Sequence, residues 1–341
     1  MPEKLLSEPL LSIRKNPKNL GAGDEDLFKH ELQKHIAPVK KITLSDIYAT
    51  GNGIVIAKEK TVIPGFFSKS TTIVFLPVLK FYLHLLKRII RNRFVIVKPP
   101  AIFITDRFSG NYFHWITEAL PRLLAGGTDV KSSPVILPAS YRQFSLIEES
   151  LKIAGFSVKY LKEKKFYLLR NVLFITHFET AGNYNDYFIQ KTRETLTKDL
   201  GCIPSSRFVY ISRTKADRRK IANEADLLPV LSKFRFEIVY CEDLSLQKQR
   251  ILFSQTKILV SNHGAGLTNM VFLPKGSSVL ELRYKDDKHN NCYFSLASAL
   301  DIDYYYQQCL PVNPELDSYE ADLIADKEIF AASILQICNS K

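Results

Sequence analysis

From residue 208 to residue 282 the chain alternates short apolar runs with helical stretches on links of a few residues, and this leaves few folds open. Phe208 to Ser212, Phe236 to Tyr240, Lys257 to Ser261 and Ser278 to Leu282 read as buried strands. Glu224 to Phe234 and Ser245 to Ser254 read as helices between them. A glycine turn, His263-Gly264-Ala265-Gly266, opens a third helix that runs through Leu273. Strand–helix–strand units on short links make right-handed crossovers and a parallel sheet. The expected fold of this half is Rossmann-like.

Ligands of open parallel sheets bind beyond the carboxyl ends of the strands. That rule selects Arg213 after the first strand, Glu242-Asp243 after the second, His263 and the glycine turn after the third, and Glu281 near the end of the fourth. A cation, a glycine-rich helix start and an acid on one rim suit a nucleoside diphosphate. Gly264 and Gly266 would let backbone N–H groups approach phosphate oxygens. Arg213 would pair with a phosphate and Glu281 would accept ribose hydroxyls. Blander readings compete. A Gly-x-Gly turn also serves close strand–helix packing, and His263 can simply cap a strand. Glu281, inside the apolar run Val279 to Leu282, can pair with Arg213 or another cation. Arg218-Arg219-Lys220 reads as a solvated helix start.

The first half is α/β with an open topology. Residues 1 to about 50 carry little pattern, and 53–76 suggest short strands. Val78 to Arg93 is an amphipathic helix with Lys80, His84, Lys87, Arg88 and Arg91 on one face and Leu79, Tyr82, Leu83, Leu86 and Ile90 opposite. It is too charged to span a bilayer. It reads as a helix packed on the core with a solvated basic face, with an anionic membrane surface as the alternative. Residues 94–105 read as two strands split by Pro99-Pro100, Asn111 to Ala125 as a helix, and Tyr141 to Ala154 as a helix stopped at Gly155. His114 and Glu118 stand four apart on one helical face beside the only Trp of the chain. They can form a general-base pair or an ordinary i, i+4 hydrogen bond.

A chain of 341 residues exceeds one usual core, so two domains are expected. The net charge of +12 favours an anionic ligand or surface. No nucleic-acid motif accompanies it, and no nucleic-acid partner is expected. The five cysteines, Cys202, Cys241, Cys292, Cys309 and Cys338, form no C-x-x-C pair, which suits a reducing cytosol without disulfides or a zinc site. Met1 to Leu20 lacks the apolar core of a signal peptide, and a cytoplasmic location is expected. The acidic pairs Asp24-Glu25-Asp26 and Asp301-Ile302-Asp303 lie off the proposed sheet rim, so no metal is expected.

Three blocks resemble glycosyltransferase family 61: Asn111 to Leu124 (NYFHWITEALPRLL), Tyr210 to Leu227 (YISRTKADRRKIANEADL) and Ser261 to Leu282 (SNHGAGLTNMVFLPKGSSVLEL). The third is the most specific. The resemblance implies a GT-B-like α/β fold of two Rossmann-like domains facing a cleft. It implies an inverting, metal-independent transferase with a nucleotide-sugar donor and no other cofactor. On this sequence it implies donor contacts from Arg213, His263, Gly264, Ala265, Gly266, Leu267, Asn269 and Glu281, faced by His114 and Glu118 as catalytic residues. The chain looks more like members of bacterial capsule and surface-polysaccharide synthesis, with a glycan or lipid-linked glycan acceptor. Expected domains are 1–195 on the acceptor side, with 1–100 poorly assigned, 196–310 for the donor, and 311–341 as a helix packing back on the first domain. The rivals are a catalytically silent nucleotide- or glycan-binding subunit and, from charge alone, a nucleic-acid binder.

Overall fold

A computed structural model of the protein describes residues 3–59, 61, 72–178, 182–201 and 204–340. Cys202 and the 62–71 part of the expected strand region lie outside the described residues. The chain divides into two compact units, one of Met1–Leu10 and Ile36–Thr180, the other of Leu11–His35 and Ala181–Lys341. The leader is thus shared: residues 11–35 fold with the second half. Near the start lie strands β1 (Glu3–Ser7), β2 (Leu10–Ile13) and β3 (Gln33–Ile36); β2 and β3 pair with each other.

The first unit is built on a nine-stranded sheet. Its long members are β4 (Val39–Thr50) and, further along the chain, a strand at Phe166–Ile175. Between them come β5 (Val55–Lys58), β6 (Ile73–Leu76), β7 (Phe94–Val97), β8 (Ala101–Phe103), β9 (Val135–Leu137) and β10 (Val158–Tyr160), which makes Phe166–Ile175 β11. The order is β10-β9-β8-β11-β4-β5-β6, with β1 added on β4 and β7 on β11. β8, β9, β10 and β11 run parallel, whereas β4 and β11 are antiparallel along nearly their whole length. This unit is therefore a mixed sheet and not an all-parallel one.

Helix α1 (Val78–Ile90) corrects the expected packing. Phe81 is its buried anchor, with His84, Leu85 and Arg88 half-buried, and Phe81 and His84 meet the rings of Tyr48 and Phe166. The Leu79, Leu83, Leu86 and Ile90 stripe faces out instead. Helix α2 occupies 112–125 and contains a π segment at Trp115–Ala119. Pro121 has no N–H to offer the carbonyl four residues back, and its ring crowds that carbonyl. One wide turn, closed by Leu120 N–H to Trp115 O, absorbs the misfit. Helix α3 (Ser145–Ala154) ends at Gly155, in the left-handed conformation at φ 81°.

The second unit opens with α4 (Asp186–Thr197) and carries a six-stranded sheet. Strands β12 (Arg207–Ile211), β13 (Glu237–Val239), β14 (Thr256–Asn262), β15 (Ser278–Tyr284) and β16 (Asp303–Pro311) are parallel, and β17 (Leu323–Ile324) closes the edge antiparallel. The order is β13-β12-β14-β15-β16-β17. Helices α5 (Glu224–Lys233), α6 (Leu246–Ser254) and α7 (Cys292–Ala299) connect them, and α8 (Lys327–Asn339) ends the chain. The strands β12 to β15 fall where the alternation of apolar runs puts them, within two residues at each end.

Helix α8 corrects a second expectation. It packs within its own unit, its i, i+4, i+7 stripe of Phe330, Ile334 and Ile337 closing one core with Leu227, Leu231, Ile258 and Leu280. Asp326 caps its start, accepting from the N–H groups of Glu328 at 2.9 Å and Ile329 at 3.0 Å. The acidic pairs of the sequence serve this unit's packing. Asp24 accepts from Tyr306 Oη at 2.6 Å and Gln308 Nε2 at 3.0 Å, while Asp301 pairs with Lys15 and Asp303 with Lys18.

Candidate functional site

In the second unit the connection from β12 leads to β13 on one side, and the next leads back across to β14 on the other. The carboxyl ends of β12 and β14 therefore flank the switch point, where open α/β sheets hold their ligands. Arg213 leaves one end and His263-Gly264 leaves the other.

Arg213 is fixed by the loop that follows it. Its Nε donates to the Arg219 carbonyl and its Nη2 to the Arg218 carbonyl, both at 3.2 Å. Arg219 is held in the left-handed region at φ 56°, unusual for a side chain of its size, and its carbonyl also accepts from Asn262 Nδ2. Arg218-Arg219-Lys220 is thus a loop, not the helix start the sequence suggested; α5 begins at Glu224. Burial, then the neighbouring Arg219 charge, lower the Arg213 pKa from its ordinary value.

Gly264 is in extended backbone, so conformation does not demand glycine there. Space does: a Cβ at this position would lie 2.4 Å from Arg213 Nη1 and 2.7 Å from its Cζ. At Gly266 a Cβ would press on Ile211 Cγ2 at 3.1 Å. The helix that follows, Ala265–Phe272, is a 3₁₀ helix. Its Leu267 N–H is already spent on the Gly264 carbonyl at 2.9 Å. Asn269 is fully buried and turned inward, donating to the Gly266 carbonyl at 3.1 Å. Leu267 and Asn269, expected at the donor, brace the turn from behind.

Glu281 is fully buried. Its Oε1 meets His263 Nδ1 at 2.5 Å, and its Oε2 accepts from Tyr304 Oη at 2.5 Å. Burial by itself would raise this carboxyl. The charge and hydrogen bond of His263, with Arg283 and Tyr304, outweigh burial and hold it below the usual range. Both oxygens are engaged inside the protein, so Glu281 is not placed to accept ribose hydroxyls. Its hydrogen-bonded partner is His263, not Arg213. An ionised Glu281 requires the proton on His263 Nδ1, which leaves Nε2 for a ligand. The His263 ring also rests edge-on against Tyr293 at 4.9 Å. A pocket beside it is lined by Arg219, Arg283, Asp287, Asn290 and Ser318.

Sequence reasoning missed Arg283, Tyr304, Tyr293 and Phe28 here. The Arg283 guanidinium lies over the Phe28 ring at 4.9 Å and donates to the Asp287 carbonyl at 2.6 Å. Phe28 comes from the weakly patterned leader, and nothing in its local sequence tied it to residue 283.

In the first unit, His114 Nδ1 and Glu118 Oε1 are 2.9 Å apart on α2. The Phe108 ring stacks on His114 at 5.2 Å and Phe113 meets its edge at 5.0 Å, so the imidazole is held in orientation. Glu118 lies in the π turn. The next polar residue along the helix, Arg122, is fully buried and donates to Asp106 Oδ2 at 3.1 Å and to the Ile104 carbonyl at 2.9 Å. Burial lowers the Arg122 guanidinium to about 10 against the raising effect of Asp106 and Glu118. His177 stands beside the same pair, its Nε2 at 3.6 Å from Asp106 Oδ2, and burial with the Arg122 charge brings its pKa down to about 3. Asp106, Arg122 and His177 were not singled out in the sequence. A buried arginine inside an apolar helix was the available signal.

Residues 112–280 match the family model Glycosyltransferase 61. The family 61 match contains His114, Glu118, Arg213, His263, Gly264 and Gly266, and stops one residue before Glu281. Among curated proteins, the EGF domain-specific O-linked N-acetylglucosamine transferase of Drosophila melanogaster is 36% identical over 101 residues, 29% of this chain and 19% of that relative. Its Mus musculus counterpart is 34% identical over 101 residues, 28% of this chain and 19% of the relative. The protein O-linked-mannose beta-1,4-N-acetylglucosaminyltransferase 2 of Homo sapiens is 29% identical over 140 residues, 40% of this chain and 24% of the relative. The chain therefore spans about a fifth to a quarter of the length of these relatives. Among the described residues no group of three or more His, Cys, Asp or Glu side chains is arranged to hold a metal ion.

Proposed function

We propose that the protein is a glycosyltransferase that moves a sugar from a nucleotide donor to a hydroxyl of a glycan or lipid-linked glycan, with inversion and without a metal ion. The observation that carries this reading is the Arg213 guanidinium held against Gly264 at the switch point, beside the His263–Glu281 pair. The family 61 match supports the activity class. In the proposed reaction the second unit serves the donor and the first unit serves the acceptor, the GT-B division of labour.

Arg213 and the N–H groups at the start of the 3₁₀ helix meet the diphosphate, whose charge grows as the anomeric bond breaks. His263 presents Nε2 to the nucleotide while Glu281 fixes its tautomer. On α2, an ionised Glu118 takes the His114 Nδ1 proton in a hydrogen bond and leaves Nε2 free to accept the acceptor's hydroxyl proton; the alternative is Glu118 itself as base. The names of the relatives direct the first donor to try, a nucleotide-linked N-acetylglucosamine. The test is a thermal-shift panel of nucleoside diphosphates and nucleotide sugars in EDTA, followed by donor hydrolysis without acceptor. A raised melting temperature with slow hydrolysis supports a transferase. Binding without hydrolysis selects the silent subunit instead, and no shift with any nucleotide refutes the site.

A further inference from the structure

Helix α1 presents to solvent the side that a buried amphipathic helix would hide. Val78, Leu79, Tyr82, Leu83, Leu86, Ile89 and Ile90 are all exposed, Leu79 at 72% and Ile90 at 74%. At 100° per residue they cover about 140° of continuous arc, and Phe81 and Leu85, which face the core, fall outside it. Val74 and Phe75, on the edge strand that leads into the helix, are exposed as well. Monomeric surfaces rarely leave so large an apolar patch open.

Along the helix and the strand after it the charge has one sign. From Ile73 to Thr105 the sequence contains no acidic residue, yet it holds Lys80, Lys87, Arg88, Arg91, Arg93 and Lys98. Lys80, Lys87 and Arg91 are exposed along the border of the apolar arc. A protein partner of mixed surface would be met by mixed charge, whereas an anionic lipid leaflet is apolar below and negative above. Long basic side chains beside the arc can lay their stems on apolar surface and keep their heads at the phosphate level. The helix has 13 residues, too few to cross a hydrocarbon core of ~30 Å, so it would lie in the interface plane.

We propose that α1, with the end of β6, is a docking surface for an anionic membrane, its apolar arc inserted among the lipids and its cations on the headgroups. This inference does not depend on the enzymatic reading.

The test is co-sedimentation of the whole chain with vesicles of phosphatidylcholine alone and of phosphatidylcholine containing phosphatidylglycerol, at low and high salt. The expected result is binding to the anionic vesicles that weakens with salt. Leu83→Glu with Ile90→Glu should weaken partition by roughly tenfold or more, since each removes one inserted side chain. Lys87→Gln with Arg91→Gln should weaken binding to anionic vesicles by roughly an order of magnitude. All four positions are exposed, so melting temperatures should match the parent and separate lost docking from lost folding. Failure of the folded parent to sediment with anionic vesicles overturns the proposal, as does unchanged binding by the Leu83→Glu, Ile90→Glu variant. A dimer in sedimentation velocity that the same variant dissolves overturns it in favour of a second copy on this face.

Discussion

Replacing Gly264 by Ala isolates the contact on which the proposed donor site rests. The backbone at 264 has φ 169° and ψ 169°, an extended conformation that alanine adopts without strain. The added methyl would sit 2.4 Å from Arg213 Nη1, so the guanidinium must leave the carbonyls of Arg218 and Arg219. The Arg218 carbonyl is at the surface and can turn to water, and the Arg219 carbonyl keeps its bond from Asn262 Nδ2, which limits the stability cost to about 1 kcal/mol. The functional cost is larger. Loss of one preorganised charge-stabilising donor costs about 2.7–4 kcal/mol of transition-state stabilisation, roughly a hundredfold to a thousandfold in rate. Transfer at saturating donor, measured for Gly264→Ala, Arg213→Ala and the double variant, gives the decisive comparison. The two single variants should lose similar amounts and the double variant little more, because both act through one group. Losses that multiply, or parental turnover by Gly264→Ala, would refute the placement of Arg213 against this turn as the source of its effect.

Other expectations follow from the same structure. Glu118→Gln should keep its melting temperature and nucleotide binding while transfer falls by two to four orders of magnitude, roughly the contribution of general-base catalysis by the His114–Glu118 pair; unchanged transfer would remove Glu118 from the proton transfer, both as base and as the partner of His114. Glu281→Gln should lower stability at neutral pH by about 1.5–3 kcal/mol, the range for hydrogen bonds to a charged group. Because the folded carboxyl titrates below its unfolded value near 4.5, this stabilisation is complete above that pH and is lost as pH falls through the folded pKa. The melting temperatures of parent and variant should therefore converge on acidification, and a constant gap would count against an ionised Glu281. Phe330→Ala should cost about 3–5 kcal/mol in chemical denaturation, since its ring is buried in the second unit's core; a negligible loss would contradict that docking of α8.

The legible part of the fold was the part with a single period. Strands β12, β14 and β15 are buried on both faces, so their apolar runs are continuous and easily read. β4 shows the opposite case. Its inward positions are Ile42 and Leu44 before Asp46 and Ala49 after it, because Asp46 sits at φ 56° and shifts the alternation by one. Opposite this break, Arg170 pairs with Asp46 and interrupts the apolar run of β11. At the site, the strand-end rule selected Arg213, His263 and Glu281, and the structure sets Arg213 against Gly264 and pairs Glu281, inside β15, with His263. The rule could not show that Glu281 points into the core, since strand position gives the face and not the partner. Tyr304 and Phe28 arrive from 23 residues after Glu281 and from the leader, distances at which one sequence carries no pairing signal. Helix α1 was misread for a related reason: amphipathicity identifies an apolar stripe but not what covers it.

In the proposed reaction the tips of β12 and β14 hold a diphosphate by arginine and backbone alone. Calorimetric titration of the parent and of Arg213→Ala with a nucleoside diphosphate, both in EDTA, tests it most directly. The parent should show saturable one-site binding that weakens by roughly tenfold or more in the variant, the value of a charged hydrogen-bonding partner. Equal binding by both proteins, or binding by the parent only after a divalent cation is restored, would contradict it.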